Sequence, residues 1–171
     1  MINGSITRST LYKIAWSVTD SLYGCNIDSN PAIRPITLAS NVLNTEHKLM
    51  EWQASLPAPL GLIEAKEILS ISDNRFTLSQ RLRVILTLRF HNLQILTYRP
   101  HLDQCLDAIG KSKAQGSSGL PAMQQVGWHS NMTCFQAASS VISLVSCITH
   151  APEPMRRLLG AWWFTLYYSV C

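Results

Sequence analysis

The stretch TLSQRLRVILTLRFHNLQILTYRPHL, residues 77–102, decides the fold class. Leu78, Leu82, Ile85, Leu86, Phe90, Leu93 and Leu96 recur at three- and four-residue intervals, the spacing of one face of an α-helix. Val84, Leu88 and Ile95 lie off that face and are apolar too, so the helix is expected to be buried on several sides. Thr77 followed by Gln80 is a capping-box pattern that starts it. Pro100 lacks the amide proton of a helix interior and disfavours helical geometry at Arg99, which puts the expected end at Tyr98. A helix buried on several sides needs others packed around it.

The flanking sequence supplies them. Leu11, Ile14, Ala15, Val18 and Leu22 make one face of a helix over residues 6–23, with Gly24 as its stop. Residues 26–35, rich in Asn, Ser and Pro, read as a loop. Leu38, Val42, Leu49, Trp52 and Leu56 trace a stripe on a helix over residues 38–55, ended by Pro57 and Pro59. Residues 63–69 allow one or two helical turns. Residues 101–127 are expected to be a loop whose low-complexity centre KSKAQGSSG (111–119) is mobile, with room for a short helical turn at 102–109. A helix over residues 130–149 follows, with Cys134, Ala138, Val141, Ile142, Val145 and Ile148 on one face and Ser139, Ser143 and Ser146 on the other. A last helix, residues 158–171, carries Trp162, Trp163, Phe164, Tyr167 and Tyr168; core packing is its ordinary role, a ligand wall or partner surface the alternatives. No strand-like alternation of useful length appears. The expectation is an all-α fold, an irregular bundle of about five to seven helices in one domain.

Composition narrows the function. Charged residues make up 14% of the 171, where about 25% is usual for a folded domain. No Lys, Arg, Asp or Glu occurs from Ala114 to Pro152, nor from Leu158 to Cys171. The C-terminal third therefore has little of its own with which to face water, and the chain is expected to be part of a larger helical domain, cut short. A membrane is not expected, because the serine face makes residues 130–149 amphipathic and the last helix is too short to span. The net charge of +4 is scattered, and Arg81, Arg83 and Arg89 form no stripe, so this chain does not present a nucleic-acid surface.

The sequence offers no chemistry. Cys25, Cys105, Cys134, Cys147 and Cys171 contain no C-x-x-C pair, so neither a zinc ribbon nor a dithiol site is written here, and reduced buried thiols are expected. Gly116-Ser-Ser-Gly119 lacks the spacing of a nucleophile elbow. His47, His91, His101, His129 and His150 include no pair four apart; His91 and His101 are expected to cap a helix end or meet solvent. No phosphate-cradling glycine loop is present. No enzyme activity, cofactor or metal site is expected.

Three segments carry a family resemblance. They are Leu49-Met-Glu-Trp52-Gln-Ala-Ser-Leu56-Pro57, then residues 86–102 from Leu86 through Phe90 to Arg99-Pro100-His101-Leu102, and finally Cys134-Phe-Gln-Ala-Ala138 followed by Trp162-Trp163-Phe-Thr-Leu-Tyr167-Tyr168. In order and spacing they resemble the middle homology (regulatory) region of fungal binuclear zinc-cluster transcription factors. Leu22-Tyr23-Gly24 fits the "L-Y" helix end that precedes the "W…LP" segment in that family. Phe90 stands where Tyr is usual, Thr97 where Leu is usual, and His101 where Phe is usual.

The resemblance implies a helical interaction module that modulates transcription in the nucleus, through contacts with protein partners or with the rest of a larger transcription factor. DNA binding and zinc belong, in the family, to a six-cysteine module that this sequence lacks. Trp52 and Leu56 are expected to anchor the second helix with Pro57 fixing its exit. Arg99 is expected to sit at a helix C-terminus and bond a carbonyl or carboxylate of a neighbouring helix. The alternatives are a truncated product without independent function, a small helical enzyme and a membrane-associated protein.

Overall fold

The computed structural model describes residues 2–23, 35–70, 78–115 and 121–159. They form six α-helical segments and no strand. Helix α1 (Ile2–Val18) ends in a π-helical turn, Thr19–Tyr23, and α2 covers Pro35–Ala54. A 3₁₀ turn (Ala58–Leu60) leads to the short α3 (Ala65–Leu69); α4 (Leu78–Gln115) and α5 (Pro121–Thr149) follow. The short α6 (Glu153–Arg156) runs into a 3₁₀ turn, Arg157–Leu159. The all-α expectation holds.

Helix α4 is the axis of the molecule, and its two apolar faces serve two cores. Leu86, Phe90 and Leu93 point into a core shared with Leu11, Ile14, Val18 and Leu22 of the first helix and Leu38, Val42, Leu49 and Trp52 of the second. Val84 and Leu88, the residues off the main stripe, point into another core with Ile63, Ile68, Val141, Leu144, Ile148, Leu158 and Leu159. The α4–α5 seam is the most extensive contact. The main stripe and its off-stripe apolar residues thus mark two packed sides of one helix.

The segment between α2 and α4 is fastened by one side chain. Arg83 donates from Nε to the Gly61 carbonyl (2.7 Å) and from Nη2 to the Leu62 carbonyl (3.2 Å) and Glu67 Oε2 (2.9 Å). The Ile63 amide donates to Thr87 Oγ1 at 3.0 Å. Glu64 and Glu67 form a capping box that starts α3. Three backbone groups of an irregular segment thereby find partners on the central helix.

Three expectations need correction. Pro100 does not end α4, which continues to Gln115. The carbonyl that Pro100 orphans is that of Leu96, and the Tyr23 hydroxyl donates to it at 2.8 Å. Beyond the proline, His101 is 7% exposed and its Nδ1 lies 2.9 Å from Ser130 Oγ of α5. A satisfied carbonyl and a docked side chain together keep the helix going. For the same reason most of residues 101–127 is helix, not loop, with α5 starting at Pro121.

The third correction is the face of α5. Ala137, Val141, Leu144 and Ile148 are buried, while Ile142 is 67% exposed. Nearly every position of this helix is apolar or small, so several stripes satisfy helical spacing. Contact with α4 selects among them. Thr77, Gly24 and the last helix with Trp162, Trp163 and Tyr167 lie outside the described residues.

Candidate functional site

The described motif residues converge on the first core. The Trp52 and Phe90 rings stack with centroids 5.7 Å apart and planes 19° apart. Trp52 Nε1 donates to the Thr7 carbonyl of α1 at 2.9 Å. Leu56 packs against the same core, and Pro57 is the extended residue that starts the 3₁₀ turn. One tryptophan thus joins α1, α2 and α4, with its body in the core and its N–H satisfied.

The Arg-Pro segment sits one level along. Tyr23 bonds the Leu96 carbonyl, and burial, the largest influence, pushes its hydroxyl pKa up while the Arg99 charge pulls it down. Cys134 of α5 packs against this core as a free thiol; burial raises its pKa and Arg99 opposes that. Arg99 itself is exposed, stands in a helix interior rather than at a C-terminus, and makes no hydrogen bond among the described residues. Its expected anchoring role is therefore corrected, because the helix end it was to cap lies elsewhere.

A polar node ties α2 to α5. Glu46 Oε1 lies 3.3 Å from His129 Nε2. Tyr98 meets the His129 ring edge-on, with centroids 6.3 Å apart. Burial first, then the hydrogen bond with Glu46, push the Tyr98 hydroxyl far above its ordinary range. Around this node the surface is apolar. Leu43 and Met50 stand one turn before and one turn after Glu46, and are 64% and 63% exposed. Trp128 adjoins His129 and is 69% exposed; Met132 follows one turn later, and Phe135 is exposed beyond it.

Large apolar side chains from two helices are thus exposed beside one node, a kind of surface at which interaction sites of other proteins are found, with Trp and Met as frequent anchors. The α5 half lies in the run without Lys, Arg, Asp or Glu, Ala114 to Pro152, so covering it would strip water from no such charge. Residues Gly127–Thr149 are also long and apolar enough to cross a membrane; here that stretch lies along α4, with Ser143 and Ser146 on its exposed side.

Among the described residues, no three His, Cys, Asp or Glu side chains gather in a way that could hold a metal ion. The cysteine spacing does not fit a zinc cluster either. His91 Nδ1 is 2.9 Å from Gln94 Oε1 on its own helix, while His101 reaches across to Ser130 instead of capping an end. Sequence reasoning missed Arg83, whose three bonds run to backbone and a carboxylate brought near only by folding. It missed the α2 half of the patch too, because Leu43 and Met50 look like ordinary helix residues until their exposure is known.

Comparison with known proteins supplies relatives. A fungal protein of Fusarium pseudograminearum (strain CS3096) named Transcription factor FBD3 is 30% identical over 162 residues, covering 92% of this chain and 21% of the relative. A protein of the same name from Gibberella moniliformis (strain M3125 / FGSC 7600) is 27% identical over 146 residues, covering 85% of this chain and 19% of the relative. The chain spans about a fifth of the length of these relatives. No family model matches, and no solved structure matches. Over most of its length this chain is similar to part of these two fungal transcription factors.

Proposed function

We propose that this chain is a regulatory segment of a fungal transcription factor, of the middle homology type, acting in the nucleus as a helical interaction module without chemistry of its own. The observation that carries the reading is the match to two fungal transcription factors over most of the chain. The Trp52-Leu56-Pro57, Phe90, Arg99-Pro100 and Cys134 motifs support the finer assignment. The patch of Leu43, Met50, Trp128, Met132 and Phe135 is its contact surface. Its occupant is an apolar helix face of the same transcription-factor polypeptide. That choice is supported by the four-fifths of each relative that lies outside the matched segment and by the absence of charge on the α5 half. DNA is reached through a separate zinc-cluster module, not through these helices.

A chimera tests this. The matched segment of the Fusarium pseudograminearum relative is replaced by this chain and transcription is followed on a reporter. Regulated transcription is expected to survive the exchange and to be lost with Trp128→Asp and Phe135→Asp, whose protein accumulates normally. A chimera that behaves like deletion of the segment overturns the reading. So does recovery of the chain in carbonate-resistant association with membranes.

A further inference from the structure

Glu46 stands between the two exposed apolar residues of α2. It follows Leu43 by three positions and precedes Met50 by four, so the three make one row along the helix. Leu43 and Met50 are mostly exposed, whereas the Glu46 side chain is 27% exposed. On α5, His129 meets the carboxylate at 3.3 Å, with the exposed Trp128 just before it and Met132 one turn later. A part-buried carboxylate thus sits among the apolar side chains of the patch.

What Glu46 lacks is a cation. Its partners are the His129 imidazole and the Tyr98 hydroxyl. An ordinary imidazole is mostly neutral at about pH 7, and so is a phenol. No Lys or Arg pairs with Glu46 among the described residues. In the free chain the carboxylate keeps part of its hydration. An apolar surface laid on Leu43, Met50, Trp128 and Met132 would strip that water away, and a desolvated charge without a counter-charge is costly. A surface that brings a cation to the same point offsets the cost with a charge-assisted hydrogen bond, which the surrounding apolar contacts then shield from water.

A second copy of this chain does not meet that requirement. Docked patch to patch, it would bring another Glu46 and His129, and the patch residues include no Lys or Arg. A row of apolar, acidic and apolar side chains on one helix asks for apolar, basic and apolar on its partner.

We infer that the helix docking on the α2–α5 patch carries a Lys or Arg in the middle of its apolar face, with apolar residues one turn to either side, and that this cation lands on Glu46. The inference rests on the reading of the patch as a contact surface and adds the charge its occupant carries.

Three amphipathic helical peptides test it, each about five turns long and identical except at the centre of the apolar face, which carries Lys, norleucine or Glu. Binding to the 171-residue chain is measured by fluorescence anisotropy at about pH 8, where an ordinary imidazole is neutral. The Lys peptide is expected to bind at least about tenfold more tightly than the norleucine peptide, and the Glu peptide most weakly. Glu46→Gln, which keeps an acceptor for the Tyr98 hydroxyl, is expected to remove the advantage of Lys. Glu46→Lys is expected to make the Glu peptide the tightest, and Glu46→Gln decides alone where that variant fails to fold. Trp128→Ser, at an exposed position, is expected to weaken all three peptides. If norleucine binds as tightly as Lys, or the advantage of Lys survives Glu46→Gln, while Trp128→Ser still weakens binding, the inference is overturned and the contact surface stands. If no peptide binds at about millimolar concentration, or Trp128→Ser changes nothing, the contact surface falls and the inference with it.

Discussion

The Tyr23 hydroxyl donates to the Leu96 carbonyl at 2.8 Å, and Leu96 is four residues before Pro100. In an unbroken helix the amide of residue 100 would fill that acceptor. Proline has no amide proton, and the hydroxyl from the end of the first helix takes the place. The bond links Leu22-Tyr23 to the Arg99-Pro100 segment, two features 73 residues apart in the chain. It also lets a 38-residue helix run through a proline without leaving an orphaned acceptor at the bend.

Tyr23→Phe is therefore expected to destabilise the protein by about 1 kcal/mol, the cost of leaving a part-buried carbonyl without its partner. Pro100→Ala restores an amide proton aimed at the same carbonyl, so it is expected to stabilise the Tyr23→Phe protein more than the parent. A double-mutant cycle measured by urea unfolding gives the coupling directly. A coupling of zero would show that the hydroxyl does not replace the missing proton.

Much of the fold is legible in the sequence because apolar periodicity reports burial. The stripe from Leu78 to Leu96 and the off-stripe Val84 and Leu88 announce a helix packed on two sides. Pro100 misleads because local chemistry forbids what a tertiary contact then permits. The face of α5 misleads because Ile142 and Leu144 fit helical stripes equally well, and only α4 decides between them. Of the site, Trp52, Phe90 and Cys134 are legible as motif residues. The surface patch is not, since exposure of Leu43 is a property of the folded chain. Arg99 is legible as a motif residue, but its expected role depended on a helix end that the structure does not place there.

Burial holds the Tyr98 hydroxyl far above its ordinary value, and burial raises Tyr23 as well. An unfolded tyrosine ionises near pH 10. Between that pH and the raised folded value the unfolded chain loses protons that the folded chain keeps, so stability is fully present below about pH 10 and falls as pH rises above it. Tyr98→Phe is expected to be less stable at neutral pH, because Glu46 loses a partner, but to show a shallower alkaline decline. Urea midpoints between about pH 8 and 11 separate the two effects. Parallel declines in parent and variant would count against the assignment.

At the acid end the relevant group is His101. Burial lowers its pKa below the usual 6.5, and its Nδ1 contact is the neutral Ser130 hydroxyl. Burial lowers His91 in the same way. The stability these groups contribute is present above about pH 6.5 and is lost as pH falls through their folded values, because the unfolded chain takes up protons first. The parent protein is expected to weaken between about pH 7 and 5. His101→Gln, which keeps a hydrogen-bonding side chain beside Ser130 and cannot ionise, should flatten part of that decline, and adding His91→Gln should flatten more. An unchanged slope in the double variant would place the acid sensitivity elsewhere.

Arg83 offers a test of which kind of contact fastens the segment between α2 and α4. Its bonds to the Gly61 and Leu62 carbonyls tie irregular backbone to the central helix, whereas its partner Glu67 is half exposed, with 48% of its side chain open to solvent. Exposed ion pairs contribute about 0–1 kcal/mol and are screened by salt. Carbonyls that lose a charged donor cost more, about 1–3 kcal/mol. Glu67→Gln is therefore expected to change stability by under about 1 kcal/mol, and Arg83→Met by clearly more, with an effect that persists in molar salt. The Arg83 bond is the main reason the Glu67 carboxyl lies below its ordinary pKa, with the Glu64 amide adding to it, and Arg83→Met should reduce that shift. If Glu67→Gln and Arg83→Met destabilise equally, the ion pair and not the backbone staple holds this segment down.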